Sequence, residues 1–193
     1  NGSLSRLIAG LERIMPRRGR NRPNGAAGHR GTAALALALL VAGCDPELLP
    51  DDDDPLPTHE AEVVAYIEDA SPHFHAEGSE GYRQPDSAER SAWGRAVADL
   101  AAGRMGDLRE ELALHLPAYR AAWLETPGGE RYGVIEPRDV EGHPGWGWVI
   151  SNPDGTRPLV LEAPHARFGW ETDVEGGRLL AATDARILLL AGA

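Results

Sequence analysis

The sequence predicts an α/β fold, with N-terminal helices followed by a mixed sheet that contains a parallel βαβ unit. Three observations predict it. Apolar residues recur at helical spacing between positions 86 and 116, behind two acidic start signals. Short apolar and aromatic runs separated by Gly/Pro turns follow from 119 to 163. An apolar run, a weakly helical stretch and a second apolar run ("PLVLEA", residues 173–184 and "ARILLL") then give the spacing of a βαβ unit. Its two strands should be parallel, with a right-handed crossover.

The chain opens on residues 1–14, "NGSLSRLIAGLERI", which precede the first methionine, Met15. They read as upstream translation without a function. Residues 15–43 carry five arginines and no acidic residue in "MPRRGRNRPNGAAGHRG", then an apolar core from Ala33 to Gly43. That core is too short to span a bilayer, which takes ~20 residues. It fits the ~7–15-residue apolar segment of a signal peptide behind a basic start. A buried helix with a free cysteine is the alternative, but it would not need the basic leader. The ending Leu40-Val41-Ala42-Gly43-Cys44 resembles the lipobox of bacterial lipoproteins. The resemblance implies that Cys44 is diacylglyceryl-modified and becomes the new N-terminus, anchoring the protein to a membrane of the cell envelope.

Past the leader, about 150 residues suffice for one domain with a modest core. They hold 12 arginines against 29 Asp and Glu, a net charge of −17, and no lysine. Such a body excludes nucleic-acid binding, because phosphates need cations to neutralise them. A single cysteine excludes an intrachain disulfide, and lipidation accounts for an odd one. Stable anchoring takes more than one acyl chain, at ~0.8 kcal/mol per buried CH₂.

Residues 44–58 combine four prolines with four consecutive aspartates and read as an extended acidic tether. The aspartate run lacks the turn glycine of a calcium loop. The α/β domain is expected over 59–193. Within it, His59–Ala70 reads as a short helix with Val63, Val64 and Ile67 on one side. Asp86 with Glu89 three positions on forms a capping box for the next helix. Gly103 and Gly106 interrupt, and Asp107 with Glu110 repeats the start signal for a helix reaching Pro117, so 86–116 reads as a helical hairpin. "AYRAAWLE" and "RYGVIEP" flank the turn signal "TPGG" as a β-hairpin. Two more strands follow across Asn152-Pro153-Asp154-Gly155. "PLVLEA" suits a central buried strand. The helix over 173–184 is weakened by Gly176 and Gly177. The chain stops just past "ARILLL", an apolar strand whose open edge would favour aggregation, and this suggests a fragment of a longer product.

The chemistry concentrates in "LVLEAPHARFGWETD", residues 159–173. Ligands of open α/β sheets bind beyond the carboxyl ends of strands, and His165 falls just past such an end. Glu162, Glu171 and Asp173 lie nearby, and Thr172 is placed to cap the following helix. Imidazole with one or two carboxylates is a ligand set of hydrolytic zinc sites. The alternatives are a loop histidine bonded to backbone, and a Glu162 that faces solvent from a sheet edge. His73 and His75 form an H-x-H pair better read as a surface loop. Trp146 and Trp148 stand at strand spacing and are expected on one face, in the core. His143 shows no partner in the sequence. There is no GxSxG motif, no phosphate-cradling glycine loop and no cysteine nucleophile, so catalysis would need metal-activated water.

The run from "GWGWVISNPDGTRPLVLEAPH" through a following threonine to "ARILLLAGA" resembles bacterial envelope proteins with a strand-then-Pro-His motif. These are distantly similar to zinc-dependent amidohydrolases such as poly-γ-glutamate hydrolases and N-formylglutamate amidohydrolases. The resemblance spans roughly residues 119–193. It implies a three-layer hydrolase-like fold, incomplete at the C-terminus, and a zinc cofactor. It also implies an amide or peptide substrate, His165 and Glu171 as metal ligands, and Glu162 and Glu171 as candidate catalytic carboxylates. The family's acidic residue four positions after the histidine is Gly169 here, with Glu171 as substitute, and its second histidine would follow residue 193. A non-catalytic lipoprotein with a binding or structural role is the competing expectation.

Overall fold

The computed structural model describes residues 55–75, 81–164 and 171–191. The expected read-through, signal peptide, Cys44, most of the tether, His165 and Gly169 lie outside the described residues. The described chain forms a six-stranded mixed sheet in the order β1-β2-β3-β4-β6-β5. The strands are β1 (Thr58–Glu60), β2 (Tyr119–Glu125), β3 (Arg131–Pro137), β4 (Trp148–Ser151), β5 (Arg157–Ala163) and β6 (Ala185–Leu190). The helices are α1 (Val63–Ala70), α2 (Ser87–Ala101), α3 (Met105–His115) and α4 (Thr172–Thr183), with a 3-10 turn over Ser71–His73.

The start of the domain differs from expectation. Pro57 accepts from the Trp123 amide at 2.8 Å, and Ala61 donates to Glu125 at 3.1 Å. His59 and Glu60 therefore extend along β2 as a parallel edge strand, and the helix begins only at Val63. Leu56, expected in the tether, packs against the sheet. Backbone partners offered by β2 override the helical pattern of "HEAEVV".

The α2 start is as expected. The Asp86 carboxylate accepts from the Ala88 and Glu89 amides, and Glu89 accepts from the Asp86 amide. The α3 start is not. Gly103 at φ 71° turns the chain early, Arg104 becomes the N-cap, and Asp107 sits in the first turn, where its charge suits the helix dipole. Leu108, Leu112 and Leu116 are buried, while Leu114 is exposed.

The "TPGG" hairpin forms as read, closed by the Thr126 amide on Glu130 at 2.9 Å. Its register pairs Arg120 with Glu136 and Glu125 with Arg131. The next two strands do not form a hairpin. β6 lies between β4 and β5, antiparallel to the first and parallel to the second. "PLVLEA" is thus the edge of the sheet, with Leu159 exposed. Pro158, which lacks an amide donor, and a bulge between Arg157 and Val160 suit that edge. "ILLL" is the buried, doubly paired strand, so the expected open edge there is overturned.

The parallel β5-α4-β6 unit is present. Gly176 and Gly177 do not interrupt α4. A Cβ at Gly176 would meet Leu188 at 2.9 Å, and one at Gly177 would meet Ile67 at 2.5 Å. The two glycines let α4 sit close to β6 and α1. Two cores result. α1, Phe74 and Leu180 of α4 pack with Leu124, Val134, Ile150 and Leu188. α2 and α3 pack with Tyr119, Ala121, Ile135, Val149 and Ile187. Alternate residues of the same strands feed the two cores, so helices cover both faces of the sheet.

Candidate functional site

The register of the sheet brings one set of strand ends together. Ala163 pairs with Leu190, Leu190 with Trp148, and Val149 with Ile135. The carboxyl ends of β5, β6 and β3 therefore share one end of the sheet. A polar groove of about 480 Å³ opens there, lined by Glu68, Ser71, Pro72, Glu171, Asp173, Val174 and Arg178. It lies between the end of α1 and the start of α4.

Glu171 is the N-cap residue of α4, held at φ 62°, ψ 27° with no side-chain cap bond. Thr172, expected to cap, is instead the first helical residue. A left-handed conformation is costly for a residue with a Cβ, on the order of 1 kcal/mol. It turns Glu171 out onto the groove. Asp173 is 3% exposed and accepts from the Ser71 hydroxyl at 2.6 Å and from the Val174 amide at 2.9 Å. The Ser71 bond joins the start of α4 to the 3-10 turn.

Glu162 does not join this groove. It is exposed on the edge strand and shares a face with Val160, two residues before it, which packs toward the α2/α3 core, whereas the groove is built on α1 and α4. Glu162 and Glu171 are thus not brought together. Among the described residues no three His, Cys, Asp or Glu side chains are grouped so as to hold a metal. The described residues alone do not fit a zinc site.

The His143 and His75 rings have structural partners. The buried His143 ring accepts from the Gly145 amide at Nδ1 (3.0 Å) and meets the His73 carbonyl at Nε2 (3.1 Å). Both nitrogens are satisfied by the neutral Nε2–H form. Burial lowers its pKa below the ordinary histidine value, against the pull of the His73 carbonyl. His75 reaches the His143 carbonyl at 3.0 Å, and their rings meet edge to face. Trp148 and Trp146 part company: the first enters the α1/α4 core, the second packs toward the α2/α3 core. Gly147 at φ 98° between them breaks the strand alternation.

A charged cluster absent from the sequence reading lies at the same end of the sheet. Glu136 of β3 is 5% exposed. It accepts from the Tyr66 hydroxyl at 2.6 Å, Arg120 Nε at 2.7 Å and His59 Nε2 at 3.0 Å. Burial by itself would raise its pKa, but the bonds from His59 and Tyr66, with Arg120, outweigh burial and hold it lowered. Burial first, and then the Glu136 charge, push Tyr66 well above the ordinary tyrosine value. The signal was partly readable: the hairpin turn sets a register that places Arg120 opposite Glu136, a charge at an otherwise apolar strand end.

Among the described residues no helix is long and apolar enough to cross a membrane. No family model, no curated protein and no solved structure matches this chain.

Proposed function

We propose that the chain is a cell-envelope lipoprotein, anchored by lipid on Cys44, whose domain hydrolyses amide bonds of a peptide-like substrate at the groove beside α4. With helices on both faces of its sheet, the domain is read as a three-layer, hydrolase-like fold. The observation that carries the reading is Glu171 on a groove beyond the carboxyl end of β5, where open α/β sheets bind ligands. Zinc held by Glu171 and His165 would supply an activated water; Glu162, which does not line the groove, would then have no part in it.

A second reading, a non-catalytic envelope lipoprotein, draws on a specific observation. Asp173, the most buried acid of the groove, is already bonded to Ser71, which suits a structural or binding role. Metal content of the purified full-length protein separates the two. The hydrolase reading expects about one zinc per chain, with most of it lost in His165→Ala and in Glu171→Ala. Equal metal in all three proteins, or none in any, favours the non-catalytic reading. Fatty-acid labelling of wild type and Cys44→Ser tests the anchor separately: label on the wild type alone is expected, and an unlabelled wild type overturns it.

A further inference from the structure

The chain is strongly acidic, yet Arg120 and Arg138 stand at the open end of the β2–β3 hairpin, and the His59 side chain of β1 reaches the same Glu136 carboxylate as Arg120. The ladder continues one pair past β3, with the Arg138 amide on the Ala118 carbonyl at 2.9 Å. By strand alternation Arg138 then shares a face with the Arg120–Glu136 pair. Diagonal positions of this kind lie roughly 7 Å apart. Each guanidinium is anchored through Nε alone: Arg120 on Glu136 at 2.7 Å, Arg138 on the Tyr119 carbonyl at 3.1 Å. The terminal nitrogens of both have no partner among the described residues. His59 bonds through Nε2 to the same Glu136 oxygen that Arg120 holds. The His59 and Arg120 side chains are each about one-third exposed, at 33% and 35%, above a Glu136 at 7%.

We propose that Arg120, Arg138 and His59 form an oxyanion-binding site for a carboxylate or phosphate group, with Glu136 as the buried carboxylate that positions two of them. A guanidinium fixed at Nε points its terminal N–H groups in a set direction, the arrangement that recognises oxyanions in a forked manner. A clasp serving only to hold the sheet together would be met by Arg120; Arg138 adds a second fork directed away from the core. Nonspecific attraction is no explanation, because the chain carries a net charge of −11. The site uses none of His165, Glu162 or Glu171, so it stands apart from the hydrolase reading.

The test is an NMR titration of the full-length protein with sodium phosphate and with sodium acetate, against sodium chloride at equal ionic strength. The arginine Nε–H and His59 ring signals are the readout. Saturable shifts at Arg120, Arg138 and His59 are expected with one or both oxyanions and not with chloride. The tighter of the two assigns the ligand as a phosphate or a carboxylate. Arg138→Gln, which leaves the Glu136 cluster intact, should keep the unfolding midpoint and weaken binding about tenfold, the loss of one charged hydrogen-bond partner. Arg138→Lys should restore only part of it. Shifts that follow chloride equally, or an unchanged affinity in Arg138→Gln, would overturn the proposal.

Discussion

Desolvating a carboxylate costs several kcal/mol, and Glu136 recovers that only because three donors converge on it from β1, α1 and β2. Glu136→Ala leaves Arg120 and Tyr66 without their acceptor. It should cost about 3–5 kcal/mol, the usual range for breaking a buried pair, measured by urea unfolding. Glu136→Gln keeps the shape but loses the charge, and should fall between that variant and wild type. The lowered pKa of Glu136 gives its contribution a direction: it is present above the unfolded carboxylate range, ~4.3, and lost as pH falls through the folded value. His143 behaves alike for the opposite chemical reason. Its folded pKa is lowered because burial disfavours the cation. The unfolded state therefore takes up protons first, and stability should fall as pH drops below ~6.5. Thermal unfolding of wild type and His143→Gln between neutral and mildly acid pH checks this. The variant should show a shallower fall, and an identical slope would contradict the assignment.

Helix α2 illustrates control by neighbours in the chain. Its capping box satisfies two amide donors and the Asp86 amide without help from the rest of the fold. Arg83 reinforces it: its hydrogen bonds, with that of the Asp86 amide, lower the Glu89 pKa to about 2. Asp86→Ala should cost about 1 kcal/mol, seen as a lower denaturant midpoint with an unchanged slope. Helix α4 illustrates control by packing. Replacing Gly177 by Ala gains about 1 kcal/mol of helix propensity. The added carbon, however, meets the Cδ1 of Ile67, which is fully buried and has no solvent to swing into. Overpacking of this kind costs about 1–3 kcal/mol. The net effect of Gly177→Ala should therefore be destabilising, and a raised melting temperature would show that α1 and α4 separate more easily than this packing implies.

At the scale of the molecule, the chain joins the sheet at Pro57, and β1 carries one of the three donors to Glu136. Cleavage in the preceding acidic, proline-rich segment should leave the domain folded. A chain that starts at Ala61 loses the β1 backbone bonds and His59 together. It should unfold at lower urea than a chain that starts at Asp51, by more than His59→Ala alone lowers the midpoint. Equal midpoints for the two truncations would mean that β1 contributes nothing.

By itself the sequence determined the pieces whose causes lie close together in the chain. The Asp86–Glu89 box, the "TPGG" hairpin with its register, and the strand-helix-strand unit near the end are each set by caps, turns and periodicity over a few residues. It also placed Glu171 near the end of an apolar strand, and that residue lines the groove beside α4. Only the tertiary structure decided lateral order. A strand's pattern reports which faces are buried and not which strands stand beside it, so nothing local could say that β6 slots between β4 and β5 and leaves "PLVLEA" at the edge. The same limit hid the Glu136 cluster. The hairpin register implied its Arg120 partner, but His59 is 77 positions away in sequence and Tyr66 is 70. Those two meet it only because β1 and α1 fold back onto the sheet, where a buried carboxylate must find every donor that surrounds it.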